Sequence, residues 1–254
     1  MRFALLGSGS EGNALVVEAG STRILMDCGF SISETVARLQ RLGIPPETLG
    51  AIVVTHEHSD HIGGVARLAR KFSLPVYLTH GTLRSQNGAF SGVNAVEINS
   101  HCDFSVGDIA IQPYPVPHDA VEPVQYVFSD GARRLGVLTD VGCITPHIET
   151  TLTGCAALVL ECNHDTVMLA NGDYPYVLKQ RVGGRFGHLN NLDAAALLSR
   201  LTHDGLQHVV AAHLSQKNNS RTLAVQALCA ATCWPESRIA VATQEEGLGW
   251  CEID

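Results

Sequence analysis

The segment "AIVVTHEHSDHIGG", residues 51–64, constrains this chain more than any other. Three histidines and two acids crowd, with Ser59, into the six positions 56–61, directly after a run of apolar β-formers. Burying polar and charged groups is unfavourable unless partners satisfy them. Imidazole and carboxylate are the side chains that suit Zn, Mn or Fe. Alternate residues of an extended segment point the same way, so His56 and His58 can chelate one ion together. Asp60 and His61 lie past the bend and can face a second ion.

One segment does not complete such a site. Further ligand types stand at the ends of other apolar runs: His118 after "YPVP", Asp140 closing "LGVLTD", and His213 closing "HVVAAH". Strand ends converge along one edge of a sheet, so all seven residues can meet there. The split that follows gives one metal His56, His58 and His118, and the other Asp60, His61 and His213, with Asp140 bridging both. His80, His101, His147 and His203 lack this setting and read as surface or satisfied core residues.

The chain has 254 residues, which suits a single domain over 1–254 and buries roughly 70% of the unfolded surface. A formal net charge of −8 argues against binding by broad coating of a nucleic acid or an anionic membrane, though local basic patches can still act. None of the eight cysteines forms a C-x-x-C pair, and most lie in apolar context. Reduced, buried thiols in a cytosolic protein are expected. The opening "MRFALLGSGSEGN" turns polar too soon for a signal-peptide core. No apolar run approaches the ~20 residues of a membrane span. A cytoplasmic location without a membrane partner is therefore expected.

Short strands are predicted at 2–7, 14–20, 22–29, 51–56 and 75–80, with helices at 31–43 and 61–72. The middle is β-rich, through "AVEINS", "DIAIQPYPVP", "VQYVFSDG" and "RRLGVLTD". Strands at 156–163, 208–215 and 238–243 then alternate with helices at 192–201 and 220–233, the last capped by Ser220. Two packed sheets with helices outside satisfy this order.

In this setting H-x-H-x-D-H resembles the signature of the metallo-β-lactamase superfamily. The matching pieces run in order from Asp27 in "LMDCG" through the 56–61 cluster, His118 and Asp140 to His213. The resemblance implies an α/β protein, a four-layer αββα sandwich with two divalent metal ions, Zn²⁺ or Mn²⁺, at its edge. It also implies that Asp27 supports a metal-bound imidazole from behind. The β-lactam-hydrolysing branches often carry Cys where this chain has Asp140, and the diiron branch has Glu where it has His58. Hydrolases of thioesters, lactones or phosphodiesters remain.

Later segments favour phosphodiesterases. Glu161 ends the strand "ALVLE", and His164 follows. His188 precedes an Ala-rich helix in "GHLNNLDAAALL", and Ser215 stands two residues after His213. This series resembles the tRNA 3′-processing endonucleases, which implies that His188 donates a proton to the leaving oxygen, with Glu161 and His164 as supporting groups. Only 21 residues separate His118 from Asp140, too few for the tRNA-gripping insertion of those enzymes. The segments "SGSEGN" (8–13), "ECNHD" (161–165), "YPYVLKQRVGGRFGHLNN" (174–191) and "HLSQKNN" (213–219) look like motifs of the compact YycJ/WalJ-type group. That likeness implies a metal-dependent 5′→3′ exonuclease acting on DNA. Its hydroxide forms between two metals and is oriented by Asp60.

Lys179, Arg181 and Arg185 form a basic run that can hold phosphates, or merely a solvated face. The glycine-rich turn with Ser10 and Asn13 can cradle a phosphate on its backbone N–H groups. Ser215 can bind phosphate too, and Asn218 and Asn219 can bind phosphate or merely start the last helix. The rival reading is a small-molecule hydrolase of thioesters, lactones or small phosphodiesters at the same metals. Metal identity, DNA against RNA, polarity and oligomeric state stay open at this point.

Overall fold

Continuous apolar runs such as "ALVLE" mark strands covered on both faces. The computed structural model describes residues 1–254 and contains fourteen strands and nine α-helices. The strands are Arg2–Gly7 (β1), Ala14–Ala19 (β2), Thr22–Met26 (β3), Ala51–Val53 (β4), Val76–Thr79 (β5), Ala95–Ile98 (β6), Phe104–Val106 (β7), Ile109–Pro115 (β8), Val124–Ser129 (β9), Arg134–Leu138 (β10), Ala157–Glu161 (β11), His208–Ala212 (β12), Ile239–Val241 (β13) and Leu248–Glu252 (β14). The helices are Ile32–Arg41 (α1), Ser59–Ile62 (α2), Val65–Phe72 (α3), His80–Ser85 (α4), Pro146–Leu152 (α5), Thr166–Asn171 (α6), Tyr176–Val182 (α7), Asn191–Leu201 (α8) and Arg221–Thr232 (α9).

Two seven-stranded sheets result, in the orders β14-β1-β2-β3-β4-β5-β6 and β13-β12-β11-β10-β9-β8-β7. Each is antiparallel at one end and parallel at the other, the change falling at β3 and at β10. Three apolar cores separate four layers. In the first, Leu39, Val65 and Leu68 of α1 and α3 cover Val16, Leu25 and Ile52. Between the sheets, Phe3, Val17 and Ile24 meet Ile111, Tyr126 and Phe128. In the third, Leu152, Leu198 and Leu228 of α5, α8 and α9 cover Leu158 and Leu160. Along β11, Ala157 and Val159 face the inner core while Leu158 and Leu160 face the helices, the period of two that a strand imposes. Burying one such Leu, Val or Phe contributes roughly 1.5–3 kcal/mol. This is the αββα sandwich. No helix is long and apolar enough to cross a membrane.

Several local expectations change. The strand expected at 51–56 ends at Val53, and the helix expected at 61–72 breaks into α2 and α3 at Gly63–Gly64. The cause is a close approach of two loops. A Cβ on Gly29 would lie 1.9 Å from the Asp60 carbonyl oxygen, and one on Gly64 would lie 2.0 Å from that of Phe30. Backbone bonds at 2.7 Å lock the contact, from Cys28 N–H to the His61 carbonyl and from Gly64 N–H to that of Cys28. The helices α4 to α7 were not anticipated. They have six or seven residues each, and three of the four start at side-chain caps, Thr79, Thr145 and Asp165. Strand β14 was also missed; it pairs with β1 at the sheet edge.

All eight cysteines are free thiols. Cys28, Cys155 and Cys162 are buried, while Cys102 and Cys233 are exposed, so burial is less general than expected. Burial pushes the Cys28 and Cys155 thiols up to about 11 and raises Cys162 too. Thiolate is the reactive form. A thiol reagent followed by peptide mapping should therefore label Cys102 and Cys233 first in the native protein. It should label Cys28, Cys155 and Cys162 only after denaturant; native labelling of Cys162 would contradict this core.

Candidate metal centre

The polar cluster sits where the strand ends of both sheets meet. Asp27 follows β3, the 56–61 segment follows β4, His118 follows β8, Asp140 follows β10, Glu161 ends β11, and His213 follows β12. Asp27, Asp140 and His213 adopt left-handed backbone, with φ of 59°, 55° and 54°. Such residues cost roughly 1–3 kcal/mol each and concentrate at functional sites. The turn aims each side chain off its strand end.

Asp27 is the anchor. Its carboxylate accepts the Thr55 N–H, the Thr55 hydroxyl and the His61 Nδ1–H, all at 2.8 Å. Thr55 Oγ1, having donated to Asp27, accepts from His56 Nδ1 at 2.9 Å. These partners assign the tautomers: His56 and His61 carry their protons on Nδ1 and turn Nε2 into the cluster. His118 Nδ1 donates to the Gly187 carbonyl at 3.0 Å, which again leaves Nε2 facing in. His58 is reversed. Its Nε2 donates to the Asp119 carbonyl at 3.2 Å, so Nδ1 faces in.

The inward atoms form two groups, His56–His58–His118 and Asp60–His61–His213. Asp140 joins His56 and His61 in a third set that lies between them. Each set keeps its ligand atoms within 4.8 Å of one another. His58 Nδ1 and His118 Nε2 stand 3.3 Å apart with lone pairs facing, an arrangement that calls for a cation or a shared proton. His56 Nε2, His213 Nε2 and Asp140 Oδ2 are buried with no hydrogen-bond partner. Buried polar atoms are rarely left so. The donor set thus fits one or two divalent cations.

Proton affinities follow the charges. Burial and then the charge of His61 hold His56 well below the usual imidazole range. Burial also opposes protonation of His61 and His213, but carboxylates outweigh it. Asp140 and Asp27 hold His61 well above the usual range, and Asp140, Asp60 and Glu161 push His213 up to about 10. Glu161 binds the neighbouring pair: its Oε1 accepts from His188 Nδ1 at 2.8 Å and His213 Nδ1 at 3.1 Å, while Oε2 accepts two backbone N–H groups.

Comparison with known proteins is consistent with this geometry. Residues 22–214 match the beta-lactamase superfamily domain. The chain belongs to the beta-lactamase superfamily. It is 36% identical to the exodeoxyribonuclease YycJ of Bacillus anthracis over 230 residues, 88% of this chain and 86% of that protein. It is 34% identical to the exodeoxyribonuclease WalJ of Streptococcus pneumoniae, again over 88% of this chain and 85% of the relative. The crystal structure of the metallo-β-lactamase-fold protein YhfI from Bacillus subtilis shares the fold, with a TM-score of 0.77, 17% identity and 98% of each chain covered.

Around this beta-lactamase-superfamily cluster, the other candidates take varied places. His188 lies at its mouth, its ring centroid 5.3 Å from those of both His118 and His213. His164 is buried outside the cluster, with Asn191 N–H bonded to its carbonyl. Asn13 has its amide engaged inside the protein: Oδ1 accepts from Gly9 N–H, and Nδ2 reaches the Gly9 carbonyl and Asp60 Oδ2. Ser215 and Asn218 are buried and bonded to each other. Those bonds tie neighbouring loop residues together. Lys179 Nζ donates to the Ala170 carbonyl, and Arg181 pairs with Asp119 at 2.6 Å. Ser10 and Arg185 are exposed.

Thr55, Asp119 and the Gly187 carbonyl carry functions that the sequence reading missed. Their only signal was adjacency to His56, His118 and His188. Thr55→Val removes the hydroxyl that joins Asp27 to His56 at nearly constant volume. Loss of such outer partners typically costs 10–100-fold in metal affinity. Competition with a chromogenic chelator should show a fall of that order with the fold retained; unchanged affinity would dismiss the relay. Since the neighbouring carboxylates raise the proton affinity of His61 and His213 and a ligand needs its lone pair, Zn²⁺ uptake should release protons. Titration calorimetry in buffers of different ionisation enthalpy should reveal this, whereas heats that ignore the buffer would contradict it.

Proposed function

We infer that the chain is a metal-dependent nuclease, a 5′→3′ exonuclease acting on DNA with two divalent cations, Zn²⁺ or Mn²⁺. His56, His58 and His118 would hold one cation, and Asp60, His61 and His213 the other, with Asp140 between. One observation carries the reading: His188 stands at the mouth of this cluster with Nδ1 bonded to Glu161, so Nε2 has no protein partner. The likeness to proteins named exodeoxyribonucleases over most of the chain supports it.

Two such cations would supply Lewis-acid charge neutralisation and a water nucleophile of pKa about 7. The remaining work falls to side chains. Burial lowers the proton affinity of His188, but Glu161 and then Asp140 outweigh it and hold the imidazole above its usual range. Protonation of Nε2 is thereby favoured, while the Nδ1–H stays on Glu161. From Nε2 that proton passes to the leaving 3′-oxygen as the P–O bond breaks. Asp60 is only partly covered, and its carboxylate can orient the attacking water. Asn13 Nδ2 holds one Asp60 oxygen at 3.2 Å and limits its rotation. Asp27, directly and through Thr55, and Glu161 hold four imidazoles in place, so the site needs little reorganisation during reaction.

End-labelled single- and double-stranded DNA, with matching RNA, should be incubated with Mn²⁺- and Zn²⁺-loaded protein. Loss from the 5′ end of DNA is expected, absent in His58→Ala. His188→Ala should retain its metal and turn over about 10²–10⁴-fold more slowly; full activity would remove His188 as the acid. No cleavage of any nucleic acid, with turnover of thioesters or lactones, would make the chain a small-molecule hydrolase instead.

A further inference from the structure

The strongly exposed large apolar side chains concentrate in one part of the chain. Six large apolar side chains are strongly exposed, and five of them lie between residues 167 and 192: Val167, Tyr176, Val177, Phe186 and Leu192. Tyr176 is 74% exposed, Val177 79% and Phe186 63%. Folding does not account for them, since α7 buries no residue at all. The stretch 174–192 also holds three bases, Lys179, Arg181 and Arg185, three aromatics and no acid, in a chain of net charge −8. Clustered exposed apolar groups mark interaction surfaces.

This surface is joined to the metal centre. Phe186 precedes Gly187, whose carbonyl takes the His118 Nδ1–H, and stands two residues before His188. The backbone beneath Phe186 is pressed on the loop after Asp140, where a Cβ on Gly142 would lie 2.5 Å from Phe186 N. Arg181 reaches Asp119, whose carbonyl orients His58. Tyr176 borders an open cavity of about 420 Å³ that Lys179, Gln180, Asn190 and His164 also line. His164 is 2% exposed, and its Nδ1 is buried without a partner. Ligand pockets commonly span roughly 300–1,000 Å³.

We propose that α7 and the following loop form a track for an unpaired stretch of the nucleic-acid strand leading away from the scissile phosphate. Bases stack on Phe186 and Tyr176, and Lys179, Arg181 and Arg185 meet the phosphates. This rests on the nuclease reading above and deepens it. Stacking on an aromatic face accepts every base, so the track is indifferent to sequence. Bases within a duplex are already stacked on their neighbours and present edges rather than faces. The occupant is therefore single-stranded at this point.

The test is fluorescence anisotropy of a fluorescein-labelled, phosphorothioate-linked (dT)₁₂ with the metal-loaded protein, beside a duplex of the same length. The single strand should bind more tightly. Tyr176→Ala and Phe186→Ala should each weaken binding roughly tenfold, in line with the loss of one stacked base. Tyr176→Trp and Phe186→Tyr should restore it. Wild-type binding that both alanine variants leave unchanged, or equal affinity for the duplex, overturns the track while the nuclease reading stands. If the same alanine variants only dissolve a self-association, the face is a contact between copies and the proposal fails. A wild-type protein that neither binds nor cuts nucleic acid overturns the nuclease reading and the track together.

Discussion

A single buried carboxylate organises the centre of this molecule. Asp27, 1% exposed, accepts three hydrogen bonds and ties the end of β3 to the loop after β4. Through Thr55 it sets His56, and directly it sets His61, so one group orients an imidazole in each of the two ligand sets. Hydrogen-bonding partners fix which ring nitrogen offers its lone pair. Glu161 does the corresponding work for His213 and His188 on the second sheet.

The site brings together groups that repel or desolvate one another. Asp27, Asp140 and Glu161 are all nearly fully buried, and five inward imidazole nitrogens crowd beside them. Buried charges are stable only with good compensation. A bound cation would supply that compensation. Three left-handed residues add strain to the same edge. The three apolar cores, which reach this edge at Met26, Val54, Val141 and Cys162, supply the stability that carries it.

Legibility in the sequence varied with its physical cause. Long apolar runs showed the strands of both sheets because burial on two faces demands them. Helices α1, α8 and α9 were visible from their length and caps. The helices α4 to α7 were not, because six or seven residues give little periodicity and local caps decide them. The break at Gly63–Gly64 followed from a contact with residues 28–30 that no local pattern records. Asn13 and Ser215 were read from a glycine-rich turn and a motif; only the fold showed that Asn13 also bonds Asp60 and that Ser215 Oγ accepts the Asn218 N–H.

The sequence by itself determined the inventory of the centre. His56, His58, Asp60, His61, His118, Asp140 and His213 have the right chemistry, and each ends or follows an apolar run, so a sheet edge collects them. Tertiary structure alone decided which atom of each side chain faces inward. Those choices are made by partners far away in the chain. His61 takes its tautomer from a residue 34 positions earlier, His118 from one 69 positions later, and His213 from one 52 positions earlier. A local pattern can specify ligand types, but hydrogen bonds between distant segments specify lone pairs, and these exist only once the two sheets have packed.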